Sequence, residues 1–198
     1  MEGITCSALP ATYNDRMRTV GIALLLLATV AFGQQPKAAK GSSSTMDFML
    51  SSPAFSNGNP IPDKYTCQGP DVSPVMAWTG HHPQALSFAI VMDDPDAPAG
   101  TWVHWVLWNI PTNAHLLPEI ASKTASLEGG AVQGRNSFGK LGYNGPCPPP
   151  GKTHRYFFRL YALDTKLGLP PGATRKELDG AMKGHILGTA EHMGTYRR

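Results

Sequence analysis

The chain has 198 residues, a formal net charge of +3, 41% hydrophobic and 16% charged residues, 21 glycines and 18 prolines. That length supports one domain with a real core, and the glycines and prolines punctuate apolar runs instead of forming a biased tract, which excludes a disordered chain. The lysines and arginines are scattered, which removes the electrostatic case for a nucleic-acid partner.

Arg16 and Arg18 precede Val20 to Phe32, an apolar run of 13 residues. The run is short for a bilayer span but has the length of a signal-peptide core, and Ala31 to Gly33 offer small residues for cleavage before Gln34. The expected leader is 1–33, with Met17 as an alternative start and an uncleaved anchor as the alternative reading. Residues 34–45, QQPKAAKGSSST, read as a flexible linker. The folded domain is expected over 46–198. Cys6 would be lost with the leader, leaving Cys67 and Cys147, and two cysteines in an exported chain are expected to pair. The sequence has no CxxC and no ligand cluster at metal spacing, so no metal or cofactor is expected.

Within the domain, Ala85–Asp93, Thr101–Ile110 and His154–Leu163 read as buried strands, on length, boundaries and aromatic or β-branched content. Shorter strands are expected around Phe48–Leu50, Val75–Trp78 and Gly130–Arg135. The segment Thr174 to Gly194 has helical spacing, with Leu178, Ala181, Met182, Ile186 and Ala190 close to one stripe and Thr174 with Glu177 as a capping box. Gly180, Gly184 and Gly188 argue against one unbroken helix. The pattern predicts a mainly β fold, a two-sheet antiparallel sandwich with peripheral helices, one near the C-terminus.

Strand alternation organises the polar residues in these runs. His154 and Tyr156 should share one face, with Arg155 on the other. Trp102, His104, Val106 and Trp108 should share a face, opposite Val103, Trp105 and Leu107. In DDPDAP, Asp93 to Pro98, Pro95 holds Asp94 extended at a strand end, and Asp96 can cap its loop or pair with Arg155. Taken singly, each has a structural reading: a hydrogen-bonded strand histidine, a core tyrosine, an Asp-Pro turn, an Arg159 whose stem covers apolar surface. His81, His82, His115 and His192 receive no role, and His185 would matter only if a helix brought it near a site. Asp94, His104, His154 and Tyr156, however, all stand at strand ends beside rigid loops. Brought together, a carboxylate, two imidazoles and a phenol suit a phosphate or carboxylate.

The motifs DDPDAP, WVHW and GPCPPPGKTHRYFFRLY resemble those of the phosphatidylethanolamine-binding protein family. YTCQGPDVSP and the ending MKGHILGTAEHMGTY resemble its bacterial, Raf-kinase-inhibitor-like branch. The resemblance covers roughly residues 46–197. It implies a β-sandwich with an anion pocket for phosphate or phospholipid headgroups. Motif by motif, it assigns that pocket to Asp94 and Pro98, to Trp102 and His104, and to Gly145, Pro148, His154 and Tyr156. Cys147 inside the proline loop departs from eukaryotic relatives, and a disulfide there would reshape the pocket mouth.

The expected function is that of an exported bacterial binding protein, periplasmic or secreted and soluble once mature, taking a small anionic ligand such as phosphate or a phosphorylated headgroup. One alternative is an inhibitor or modulator of a protein partner, a protease or kinase, presenting the stiff proline loop. Another is a weak hydrolase using Asp, His and Tyr, but the chain has no G-x-S-x-G and no metal motif, which favours binding without turnover.

Overall fold

The computed structural model describes residues 47–120 and 122–198. The expected leader, Met17, Cys6, the linker and Met46 lie outside the described residues. Strands form on the apolar runs: β1 (Met49–Ser51), β2 (Met76–Thr79), β3 (Ser87–Asp94), β4 (Trp102–Ile110), β5 (Leu116–Leu117), β6 (Val132–Gln133), β7 (His154–Leu163) and β8 (Ile186–Tyr196). One α-helix, α1 (Arg175–Met182), and two 3-10 turns at Asp63–Tyr65 and Glu128–Gly130 complete the described elements.

The strands make two antiparallel sheets, ordered β1-β2-β5 and β6-β4-β3-β7-β8. All of β3 is buried, at the centre of the larger sheet. Its middle, Phe88 to Met92, is an unbroken apolar run because both of its faces are covered. One core fills the space between the sheets, where Leu50, Met76 and Trp78 meet Phe88, Ile90, Met92, Trp105 and Phe158. Each such side chain contributes roughly 1.5–3 kcal/mol on burial. A second core covers the outer face of the larger sheet, where Ala89, Val91, Val106 and Trp108 pack with Leu178 and Met182 of α1. The expected sandwich is the observed fold.

The C-terminal helical pattern holds only at its start. Thr174 caps α1 reciprocally: the Thr174 backbone N–H donates to the Glu177 carboxylate at 2.7 Å, and the Glu177 N–H donates to Thr174 Oγ1 at 3.4 Å. Beyond Met182 the chain turns at Gly184, which has φ +84. It then runs as β8 along all of β7, from Leu163↔Ile186 to His154↔Tyr196. Ile186 and Ala190 are therefore strand residues. Glycines weaken the helix here, and β7 without β8 would leave a row of unpaired backbone groups.

The alternation expected for β4 also fails, at an informative place. Met92 pairs with Trp105 but Asp93 pairs with Val103, so His104 is an extra residue on β4. This β-bulge reverses the faces. Trp105 and Leu107 point between the sheets, while Val106 and Trp108 point outward with Val103. His104 thus does not share a face with Val106 and Trp108; the bulge turns its ring toward Tyr156.

Asp93 and Asp94 point to opposite faces at the end of β3. Asp93, 4% exposed, accepts hydrogen bonds from Arg159 of β7 (2.6 and 2.8 Å) and Arg175 of α1 (3.0 Å). Arg159 also pairs with Glu191 and lies 4.8 Å from the Phe157 ring centre. It is a half-buried tie between strands as well as a cover for apolar surface.

Candidate anion site

Antiparallel pairing sets the end of β3 beside the starts of β4 and β7, through Asp94↔Trp102 and Asp93↔Phe157. A cavity of about 230 Å³ opens there. It is smaller than the ~300–1,000 Å³ of drug-sized sites. Asp94, Pro98, Trp102, His104, Pro148 and His154 line it, together with Phe138 and Cys147. Tyr156 and Gly145 stand behind the lining. The fold thus brings Asp94, Pro98, Trp102, His104, Pro148 and His154 around one cavity, while Tyr156 and Gly145 do not line it.

Asp94 is committed on both oxygens. Oδ1 accepts the Asp96 backbone N–H at 2.8 Å, closing a turn around Pro95, and Oδ2 accepts from His154 Nδ1 at 2.8 Å. Asp96 accepts from Arg155 three times: Nε at 2.9 Å, Nη2 at 2.7 Å and the backbone N–H at 2.9 Å. The Arg155 guanidinium holds the Asp96 carboxyl down at about 2. Arg155 is exposed while His154 and Tyr156 are buried, as alternation predicts. One strand therefore clamps the loop from outside and presents its two ring side chains inside.

His104 is clamped by Asn144. The Asn144 N–H donates to the His104 carbonyl at 3.0 Å, and His104 Nδ1 donates to the Asn144 carbonyl at 2.6 Å. A carbonyl only accepts, so Nδ1 carries the ring proton. The ring is 2% exposed, and burial pushes its pKa below the ordinary imidazole value, against weaker opposing effects from the Asn144 carbonyl and Asp94. The Tyr156 ring meets it edge-on, 5.3 Å between centres. The Tyr156 hydroxyl is buried, closes no full hydrogen bond among the described residues, and has the Asp94 carboxylate as its polar neighbour. Burial, then the nearby Asp94 charge, drives its pKa far above the usual phenol range.

Three residues behind the site escaped the sequence reading. Asp71, at φ +57, accepts from the Gly145 N–H (2.6 Å) and the Asn144 side-chain amide (2.8 Å). Asn136 donates to Asn144 Oδ1 at 2.9 Å. The signals were the Gly-Pro-Asp turn at 69–71 and the Asn-Gly dipeptide ahead of the proline loop. Phe138, which packs against both Trp102 and His104, was also missed.

The proline wall is fixed to residues 65–67. A Cβ on Gly145 would fall 2.0 Å from the Tyr65 carbonyl oxygen. Tyr143 donates its hydroxyl proton to that same oxygen at 2.7 Å, and the Cys67 N–H donates to the Pro146 carbonyl at 3.1 Å. The expected Cys67–Cys147 disulfide is present, with Cα atoms 5.4 Å apart. His185 pairs with Asp164 and does not line the cavity. Among the described residues, no group of three His, Cys, Asp or Glu side chains is placed to hold a metal ion.

Residues 51–197 match the family described as phosphatidylethanolamine-binding protein. This chain belongs to the phosphatidylethanolamine-binding protein family. All the site residues named above fall inside the matched span. A UPF0098 protein of Methanothermobacter thermautotrophicus is 50% identical over 149 residues, covering 75% of this chain and 98% of that relative. A UPF0098 protein of Pyrococcus abyssi is 50% identical over 150 residues, covering 74% and 84%. Among solved structures, a phosphatidylethanolamine-binding protein homologue of Chlamydia trachomatis aligns with TM-score 0.69 at 42% identity, covering 76% of this chain and 97% of that one. E. coli YBCL, described as a member of the mammalian family, aligns with TM-score 0.71 at 34% identity, covering 76% and 98%.

Proposed function

We propose that this chain is an exported binding protein whose cavity takes phosphate or a phosphorylated headgroup. One observation carries the reading: the cavity is lined by two imidazoles whose Nδ1 atoms are already tied down, to the Asn144 carbonyl and to Asp94, which leaves their Nε2 atoms for a ligand. Among the described residues the cavity lining holds no serine, and its one cysteine, Cys147, is bound in the disulfide, which favours holding a ligand over turning one over. The family's name supplies the ligand class, and the sequence of residues 1–33 supplies the expectation of export.

The test of binding is an NMR titration of the purified protein with phosphate and with phosphoethanolamine. The expected result is a shift of the His104 and His154 ring signals, with both probes saturating at millimolar concentration or below. Unmoved ring signals at that concentration would refute the reading. Export is tested by N-terminal sequencing of protein from a secreting host: a start near Gln34 is expected, and Met1 or Met17 on the mature protein would overturn it.

A further inference from the structure

The cavity's hydrogen-bonding groups are few, and their polarity is fixed by what stands behind them. His104 spends its ring proton on the Asn144 carbonyl, so its Nε2 faces the cavity as an acceptor. Adding a second proton would put a cation on a ring that is almost completely buried, and burial works against that. His154 donates from Nδ1 to Asp94, so its Nε2 donates only when the ring is doubly protonated. Tyr156 keeps its hydroxyl proton but stands behind the His104 ring, outside the lining. Both Asp94 oxygens are already occupied.

The charges around these rings do not supply a cation to the ligand. Asp94 and Asp96 come from β3 and its loop, and Asp96 is paired with Arg155 of β7. Asp71, with Lys123 at 3.9 Å, lies behind Asn144. Tyr143 and, on β8, Tyr196 are neutral phenols whose pKa values are raised. Arg198 reaches Cys147 Sγ at 3.6 Å from an exposed position. Among the described residues, no lysine or arginine lines the cavity. A doubly charged ligand would therefore bring its second negative charge next to Asp94 without a fixed counter-ion.

We propose, resting on the anion reading above, that the cavity selects an anion carrying its own O–H: inorganic phosphate or a phosphomonoester in its singly charged form, in preference to a phosphodiester. The P–OH donates to His104 Nε2. The ionised oxygen accepts from His154 Nε2 when that ring is doubly protonated. A diester of equal charge has only acceptors, so one of its oxygens would face the lone pair of His104 Nε2. The shared chemistry is the phosphate group, and the ester count separates a free phosphate or soluble monoester from the diester linkage of an intact phospholipid.

Monomethyl phosphate and dimethyl phosphate test this directly. At pH 5 both are single anions, since the second ionisation of a phosphomonoester lies near pH ~6. They then differ in the O–H and one methyl group. In NMR or calorimetric titrations of the purified protein, monomethyl phosphate is expected to bind about tenfold tighter or more, the effect of leaving a buried acceptor unsatisfied. Equal affinity, or tighter diester binding, overturns this selectivity while the anion reading stands. Binding of neither probe overturns both. In the monomethyl phosphate complex, the ring ¹⁵N shifts of His104 should show a neutral ring protonated on Nδ1; an imidazolium pattern overturns the proposal without any substitution. His104→Phe, which keeps an aromatic ring but removes the acceptor, should reduce the monoester preference to about unity, and a retained preference would likewise overturn it.

Discussion

Asp94 and His154 are joined by a 2.8 Å hydrogen bond between side chains that are only 3% and 5% exposed. Removing the charge from one partner strands the other. Asp94→Asn keeps the shape and can still accept from Asp96, but its amide no longer holds the imidazole proton as a carboxylate does. The expected loss is about 3 kcal/mol of unfolding free energy, in the range for breaking a buried pair. Urea denaturation of the two proteins checks it, and a midpoint unchanged in the variant would contradict the pairing.

Gly145 and Gly180 predict opposite responses to the same substitution. Alanine at 145 would drive its Cβ into the Tyr65 carbonyl oxygen, 2.0 Å away, where only backbone can yield. Gly180 lies in α1 with open space around it. Gly145→Ala should cost about 3 kcal/mol or prevent folding, whereas Gly180→Ala should gain up to about 1 kcal/mol from helix propensity. Thermal melts of the pair decide the matter, and similar melting temperatures would count against the close approach at 145.

His104 gives the stability a pH dependence of definite sign. In the unfolded chain its ring takes up a proton near the ordinary value of 6.5, whereas in the folded protein burial lowers that pKa. Below pH 6.5 the unfolded state therefore binds more protons, and stability falls as pH drops from 7 toward 5. His192, buried against the Phe55 carbonyl, acts in the same direction. His104→Gln should flatten the slope between pH 7 and 5 without abolishing it. An identical slope in chemical denaturation at each pH would show that His104 titrates normally when folded.

The disulfide closes a loop of 80 residues between Cys67 and Cys147. In the chain-entropy account this contributes up to roughly 4 kcal/mol through the unfolded state. The Cys67→Ser, Cys147→Ser double variant should lose a large part of that in urea. Native protein should gain about two hydrogens in mass on reduction; freely alkylated thiols before reduction would sink the prediction.

The long buried strands, the capping box at Thr174 and the face shared by His154 and Tyr156 were all legible in the sequence. Each is a local pattern: a run, a spacing of three, an alternation of two. What was not legible depends on a partner. The bulge at His104 is a mismatch of count between β3 and β4, and β4 alone reads as regular alternation. β8 reads as helix because its apolar spacing is ambiguous, and only the free edge of β7 decides for strand. Asp71 and Asn144 look like ordinary turn residues until the fold brings their turns together.

The extra residue at His104 makes the aim of the imidazole a matter of chain length rather than of residue identity. Met92↔Trp105 on one side and Asp93↔Val103 on the other leave His104 without a cross-strand partner. A transfer of this site onto another scaffold that copied every side chain but restored strict pairing would put the histidine beneath the helix, on the wrong side of the sheet. In comparing relatives, the spacing between the tryptophans at 102 and 105 therefore carries as much information as the histidine between them.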